Sequence, residues 1–182
     1  MSTISNQPAN QNFLSPLGFK FTINKTPSIN YFVQNVTLPN LTLGQSNVPS
    51  PFIRIPLAGD HLEFGDLSVT FKVDENLDNY LEIFDWMIAM GFPDEFDEFK
   101  AIDERRGGVI TGLTDRMTGH GIYSDATLTI LSSAMNPLHQ ITFIEAFPTS
   151  LSEIPFSSTE SDVVHASATV TFAFRRFKIA RL

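Results

Sequence analysis

The residues that could carry out chemistry are the histidines and the acidic side chains, and neither group is arranged as a catalytic site. The four histidines lie far apart, without the i, i+4 or H-x-H spacing on which zinc sites are usually built. The sequence has no P-loop, no G-x-G-x-x-G segment and no G-x-S-x-G elbow. No pattern brings together a nucleophile, a base and an oxyanion donor, so we expect a protein that is not an enzyme and needs no cofactor or metal.

Acidic side chains are concentrated in one part of the chain. Eleven of the 20 acids lie between Asp74 and Glu104, against the single base Lys100. Paired carboxylates can hydrolyse glycosides or bind Ca²⁺, but the densest run lacks the glycine and the 12-residue spacing of an EF-hand. We interpret that run as a solvated acidic surface: Asp94, Glu95, Asp97 and Glu98.

The C-terminal end is basic instead. Four bases fall within seven residues, namely Arg175, Arg176, Lys178 and Arg181. A chain that is acidic in one segment and basic in another could bind copies of itself through complementary charge. This basic tail is therefore a candidate contact between subunits, although unrelated solvated charges would give the same pattern.

Length and composition exclude several classes of protein. The chain has 182 residues, a net charge of -8 and no cysteine, which predicts one domain over residues 1–182 without disulfides or thiolate metal ligands. The acidic balance argues against wrapping duplex DNA through phosphate neutralisation. No segment approaches the roughly 20 apolar residues of a membrane span, and the N-terminus lacks the features of a secretory signal. We expect a soluble, cytoplasmic product without a membrane anchor.

Alternation of apolar and polar residues predicts a mainly β protein. Period-2 patterns mark strands at Phe19–Ile23, Leu67–Val73 and 166–174, with further strands at Asp125–Leu131 and His139–Phe147. A run at Tyr31–Leu38 is expected to pair with the first strand as a hairpin. We predict an antiparallel β-barrel or sandwich of about six or seven strands with one flanking α-helix and long loops.

The predicted helix covers about residues 75–90. Apolar residues at helical spacing predict the stripe that packs on the sheet, and Gly91 and Pro93 end the helix. The stripe consists of Leu77, Tyr80, Leu81, Phe84 and Ile88. An irregular, glycine-containing insertion is expected at residues 92–121.

Two segments have the character of interaction elements. Residues 1–16 are polar and predict a flexible N-terminal arm, either frayed or ordered only against a neighbouring subunit. Residues 39–61 contain four prolines and predict a long extended loop with one possible edge strand at Phe52–Ile55. Loops of that length in a compact domain are usually functional. Its apolar residues make it a candidate element for contact with another chain: Pro49, Phe52, Ile53 and Ile55.

The last forty residues resemble the closing segment of tail tube proteins from contractile-tailed phages. In that family a strand runs into an AFP corner, followed by a short Ser/Leu segment, a polar stretch and a long terminal strand. The matching segments here are Ala146-Phe147-Pro148, Thr149–Pro155, Ser158–Asp162 and Val170-Thr171-Phe172. The openings NFLSPLGFKFTI and YFVQNVTLPNL are also similar to the family's first strands.

The resemblance implies a structural virion protein that forms six-membered rings, with strands joined across subunits. The rings would stack into the inner tube of a contractile tail, assembled in the cytoplasm of the host bacterium. Under this resemblance the loop at 39–61 becomes the candidate ring-stacking loop, with Pro49, Phe52, Ile53 and Ile55 reaching the adjacent ring. Expected partners are copies of the chain, sheath and baseplate proteins, and DNA that passes through the lumen without specific binding. A baseplate ring that initiates the tube and a secretion-system tube subunit remain alternatives. In such a tube the acidic run Asp94, Glu95, Asp97 and Glu98 would be a candidate lining of the lumen. A negative lumen would repel phosphate and let DNA slide.

Overall fold

The computed structural model describes residues 12–49, 51–91, 122–157 and 165–182. Within these ranges the chain forms nine strands and two helices: β1 (Phe19–Ile23), α1 (Ile29–Phe32), β2 (Val33–Thr37), β3 (Leu41–Val48), β4 (Ile55–Phe64), β5 (Leu67–Lys72), α2 (Asp78–Gly91), β6 (Ser124–Leu131), β7 (Pro137–Leu151), β8 (Ser167–Ala173) and β9 (Arg176–Arg181). The strand pairs are antiparallel. The predicted mainly β, antiparallel fold with one substantial flanking helix is confirmed, and α1 adds a single unpredicted turn.

The long strand β7 divides the main sheet into two parts. Its first part pairs with β6 on one side and β9 on the other, and β6 pairs in turn with β1. Its last part pairs with β8, which continues through β5 to β2. We call the group β1-β6-β7-β9 the front sheet and the group β7-β8-β5-β2 the back sheet. The hairpin β3–β4 forms a separate two-stranded sheet.

A bulge marks the place where β7 leaves the front sheet. Glu145 has φ 57°, a left-handed conformation that costs an L-residue roughly 1–2 kcal/mol. Its backbone N–H donates to Asp125 Oδ1 at 3.1 Å, and Arg175 N–H donates to Ile144 O at 3.1 Å. These bonds hold the irregular backbone and let one strand serve both sheets.

One hydrophobic core lies between the two sheets and under α2. Every second residue of the predicted strands points into it, and Phe71, Phe143 and Phe172 are among its largest fully buried side chains. From α2, Ile83 and Trp86 complete the core, with Trp86 Nε1–H donating to Ile122 O at 2.9 Å. Both sheets bury one face in this core, and successive side chains of a strand point to opposite faces. Period-2 alternation therefore identifies these strands.

The predicted hairpin between Phe19–Ile23 and Tyr31–Leu38 is wrong. β1 pairs with β6 and β2 pairs with β5, so the two segments belong to different sheets. The linker contains α1, and the Asn30 side chain closes the end of β1: its Oδ1 accepts from Ile23 N–H at 2.8 Å and its Nδ2 donates to Ile23 O at 3.2 Å. A helical turn rather than a tight β-turn therefore redirects the chain.

The extended loop predicted at 39–61 is also wrong. Most of that segment forms the two long strands β3 and β4, which pair from Leu41–Phe64 at the base to Val48–Ile55 near the tip. The prolines do not break the hairpin, because a two-stranded sheet consists of edges where an unused N–H is not needed. The edge strand suggested at Phe52–Ile55 is displaced, since β4 begins at Ile55.

Helix α2 begins at Asp78, three residues after the predicted start, and its buried face differs from the predicted stripe. The buried residues are Asn79, Ile83, Trp86 and Ala89. Leu77, Leu81 and Phe84 are exposed instead. The helix is apolar around most of its circumference, so spacing alone did not select the face that packs. Asn79 is buried because its Nδ2 donates to Lys72 O at 2.8 Å.

Candidate assembly surfaces

The front sheet has two strands with a free edge. Within the described residues, β1 pairs only with β6 and β9 pairs only with β7. Strand direction alternates across the sheet because each pairing is antiparallel. β1 and β9 therefore run in opposite directions, and their lengths of five and six residues are nearly equal. Unpaired edges of this kind are templates for pairing with another chain.

The hydrogen-bond pattern shows which amides of β9 point to its free edge. Leu182 N–H donates to Leu138 O at 3.1 Å, just beyond the pair His139–Arg181. Since amides alternate in direction along an antiparallel strand, Lys178 and Ala180 point towards β7. The amide of Ile179 then points away from the sheet, and its side chain is exposed.

The two faces of the front sheet differ sharply in chemistry. On the inner face, Phe21, Leu128 and Ile141 share one cross-strand row and are buried. On the outer face the register produces two polar rows. They are Lys20–Thr129–Gln140–Ala180 and Thr22–Thr127–Thr142–Lys178. The outer face is thus built for contact with water or with a polar partner rather than for packing.

The hairpin β3–β4 carries apolar side chains that the described part of the subunit leaves exposed. Near its base Leu43 lies opposite Leu62, and near its tip Val48 lies opposite Ile55; all four are exposed. The Phe52 side chain at the turn is 92% exposed. Apolar side chains with this arrangement are typical of an interaction surface.

A bulge lies in the middle of this hairpin. The register shifts between Leu43 and Gln45, and Gly59 lies there with its backbone against Gly44. A Cβ at Gly59 would come within 2.5 Å of Gly44 O. The glycine is therefore required for close backbone approach, and the bulge changes which side chains share a face.

Four phenylalanines attach the base of the hairpin to the body. Phe64, the last residue of β4, lies 5.4 Å from Phe177 and 6.0 Å from Phe174 between ring centroids. Both of these rings also contact the buried Phe143, at 5.8 and 5.1 Å. The hairpin is thus fixed where it leaves the body, although its length is exposed.

The predicted ring-stacking residues all lie at the far end of this hairpin. Pro49 follows β3, Phe52 and Ile53 are in the turn, and Ile55 opens β4. The three apolar side chains are exposed. The sequence missed the strands and the further exposed apolar residues along them, because a hairpin that buries neither face shows no clean alternation.

The basic tail is not a single patch. Arg175 Nη1 donates to Glu145 Oε1 at 3.1 Å and is therefore used within the subunit. Arg176 and Lys178 pair with Ile144 and Thr142 and lie on the outer face of the front sheet. Arg181 pairs with His139 in an inner-face row. The acidic run Asp94, Glu95, Asp97 and Glu98 lies outside the described residues.

The described residues hold neither a metal site nor a membrane-spanning helix. No cluster of three or more His, Asp or Glu side chains among them could hold a metal ion. None of the described helices combines the length and the apolar character needed to cross a membrane.

The fold is similar to that of solved tube proteins from contractile injection systems. A chain of an extracellular contractile injection system, the PVC sheath-tube complex in its extended state, has a TM-score of 0.60 at 15% identity over 100% of this chain and 99% of the other. The anti-feeding prophage cap, described as a tube-terminating cap, has a TM-score of 0.58 at 14% identity over 100% of both chains. The PVC sheath/tube terminator has a TM-score of 0.55 at 15% identity, over 94% and 99%. No curated protein sequence matches the chain.

The chain thus has the fold of these solved tube proteins, with a free edge at each end of its front sheet within the described residues. The family described as phage tail tube protein matches residues 4–180. The chain therefore belongs to the phage tail tube protein family, as the resemblance of its sequence indicated, and it has a structural role in a tube.

Proposed function

We propose that this chain closes into hexameric rings that stack into the inner tube of a contractile phage tail, through which DNA passes. In this proposal the tube is assembled in the host bacterial cytoplasm as part of a virion. Its partners are other copies of the chain, sheath and baseplate proteins, and DNA in the lumen. The observation that carries the proposal is a four-stranded front sheet with a free strand at each end.

The directions of the two edge strands are compatible with closure of the ring by antiparallel pairing. In a cyclic ring every subunit presents its front sheet in the same orientation. Because β1 and β9 run in opposite directions, β9 of one subunit meets β1 of the next as an antiparallel pair. A continuous sheet then closes with alternating directions throughout, and the closed ring leaves no front-sheet edge exposed to aggregation.

The distribution of mass supports the outer face of the front sheet as the proposed channel wall. The back sheet and α2 pack on the inner face of the front sheet, so the subunit is bulkier on that side. A closed ring has a shorter inner circumference than outer circumference, which favours the thin layer inside. The polar outer face of the front sheet is thereby the channel wall.

The hairpin β3–β4 is proposed to stack one ring on the next. Its exposed apolar residues would gain burial against another chain, at roughly 25 cal/mol for each Å² removed from water. The described part of the N-terminal arm would add contacts, since Phe13 is 97% exposed. Arg176, Lys178 and Arg181, but not the internally paired Arg175, remain candidates for contact between subunits.

Two alternatives belong to the same class of protein. A baseplate tube initiator would form a single ring and stop, whereas a secretion-system tube subunit would form tubes with a different cargo. The likeness to a tube-terminating cap as well as to a tube chain keeps the single-ring alternative open. Negative-stain electron microscopy of the purified full chain tests this point. Long tubes of constant diameter are expected, single rings would indicate the initiator, and persistent monomers would contradict the proposal.

Ring closure is tested by Ile179→Pro, with Ile179→Thr as the matched control. Both substitutions remove the same apolar side chain, but only proline removes the N–H that points to the free edge. We expect the threonine variant to form rings and the proline variant to remain monomeric with its β-content retained. Light scattering after size exclusion measures the mass, and circular dichroism measures the fold. Rings of normal mass from Ile179→Pro would contradict closure through β9.

Stacking is tested by the double variant Phe52→Ser/Ile53→Ser. Its control is Gln45→Thr/Asn47→Thr, which changes the polar face of the same hairpin, opposite the face of Leu57 and Ile55. We expect the tip variant to yield rings without long tubes and the control to yield normal tubes, as measured by electron microscopy. Tubes of normal length from the tip variant would show that the hairpin tip does not stack the rings.

A further inference from the structure

The outer face of the front sheet has a charge opposite to that of the protein as a whole. The chain has a net charge of -8, yet the charged side chains in the two outer rows are Lys20 and Lys178, followed by Arg176 opposite Ile144. The front-sheet strands contain two acids. Asp125 alternates onto the outer face, where its Oδ1 accepts the Glu145 N–H, and Glu145 at the bulge pairs with Arg175. Three bases on this face therefore stand against one acid.

We propose that this face is a phosphate-contacting channel wall, in which Lys20 and Lys178 contact the backbone of a nucleic acid inside the tube. The inference rests on the proposed function, because it requires closed rings with the front sheet innermost. It also replaces the expectation of a purely repulsive, acidic lumen for the part of the wall that the front sheet forms.

The two lysines are placed where subunits would meet. Lys20 is on the edge strand β1 and Lys178 is on the opposite edge strand β9. Ring closure brings Lys178 of one subunit and Lys20 of its neighbour onto adjacent strands of one face. Like charges on neighbouring strands repel each other, and neither lysine has an ion-pair partner among the described residues. A passing anion relieves that repulsion, so the junction between subunits is the strongest contact point.

The neighbouring side chains favour a nucleic acid backbone over other cargo. Thr22, Thr127, Thr129 and Thr142 offer hydroxyl groups beside the lysines, and hydroxyl and ammonium groups are common phosphate donors. The two rows contain no aromatic side chain on which bases could stack. Contact of this kind is independent of base sequence, weakened by salt and compatible with sliding.

Assembled tubes of the full chain allow a direct test. The charge-removing variant is Lys20→Gln/Lys178→Gln, and the charge-preserving variant is Lys20→Arg/Lys178→Arg. Lys72→Gln is the matched control, because Lys72 lies on the back sheet beside Ser167. The probe is a fluorescein-labelled single-stranded oligonucleotide, and binding is measured by fluorescence anisotropy across a salt series.

We expect the Gln double variant to bind the oligonucleotide about 10-fold more weakly at low salt, with a salt slope smaller by about 0.7 for each phosphate that the lysines no longer neutralise. The Arg double variant and Lys72→Gln should bind as the wild type does. Unchanged binding by the Gln variant, or an equal loss in Lys72→Gln, would overturn the inference. Tighter binding of a polyglutamate peptide than of the oligonucleotide would also overturn it, in favour of an acidic protein cargo.

Electron microscopy of the same samples separates this inference from the proposed function. If the wild type forms neither rings nor tubes, the proposed function fails. If tubes form with the front sheet facing outward, or if they form normally while the lysines have no effect, only the phosphate-contacting wall is excluded.

Discussion

The body and the hairpin β3–β4 contain the same kinds of apolar residue, but the body buries them and the hairpin exposes them. In the body, side chains such as Phe71, Phe143 and Phe172 are completely buried between two sheets. In the hairpin, Leu43, Val48 and their cross-strand partners are exposed, and the Phe64 ring contacts the aromatic cluster at the base. The body therefore buries its own apolar side chains, whereas the described residues leave the apolar surface of the hairpin exposed, as the proposed stacking of rings requires.

The largest expected effect is on the body side of this comparison. Phe143→Ala removes a ring with 0% exposure that contacts Phe174 and Phe177. We expect the free energy of unfolding to fall by about 3–5 kcal/mol, because the reduced burial and the remaining cavity both contribute. Chemical denaturation of the monomeric Ile179→Pro subunit measures it without a contribution from ring closure.

Phe143→Leu provides the control in the same background. It keeps an apolar side chain in the site, so it should cost clearly less than the alanine variant. A decrease below about 1 kcal/mol for Phe143→Ala would be outside the usual range for a buried phenylalanine. Such a result would mean that the aromatic cluster does not anchor the body and the hairpin as described.

The sequence predicted the strands of the body better than the hairpin β3–β4. Strands β1, β5 and β8 were predicted well. Each of them buries every second side chain in one core, so apolar and polar residues alternate along its sequence. Strand pairing was less accessible: β1 and β2 were expected to form a hairpin, but the helical turn at Ile29–Phe32 sends them to different sheets. Pairing depends on contacts distant in sequence, which local patterns do not encode.

The candidate site was predicted only in part. Exposed apolar residues near Phe52 were identified as an interaction element, but the hairpin itself was not, because strands without a buried face show no alternation. The basic tail was identified as one unit, although strand alternation sends Lys178 and Arg181 to opposite faces and the bulge pairs Arg175 with Glu145. Charge clusters in sequence separate once a strand directs successive side chains to opposite faces.

A smaller effect is expected at the bulge where β7 passes between the sheets. Glu145→Ala and Glu145→Gly both remove the ion pair with Arg175, which is partly exposed and is worth about 0–1 kcal/mol. Only glycine also relieves the left-handed backbone at φ 57°. The glycine variant should therefore be more stable than the alanine variant by about 1–2 kcal/mol in chemical denaturation. Equal stabilities would show that the bulge imposes no backbone strain.

The smallest effect on unfolding is expected at the hairpin tip, where the consequence for assembly is largest. Phe52→Ser/Ile53→Ser changes two exposed side chains, and surface substitutions usually alter the free energy of unfolding by less than about 0.5 kcal/mol. In the Ile179→Pro subunit the double variant should therefore unfold like its parent, while in the assembling chain it should prevent stacking. A decrease of about 2 kcal/mol in the monomer, well beyond that surface range, would mean that the tip packs within its own subunit, and any absence of tubes could then be explained by unfolding. Unchanged unfolding together with abolished stacking would assign the apolar surface of the hairpin to contact between rings.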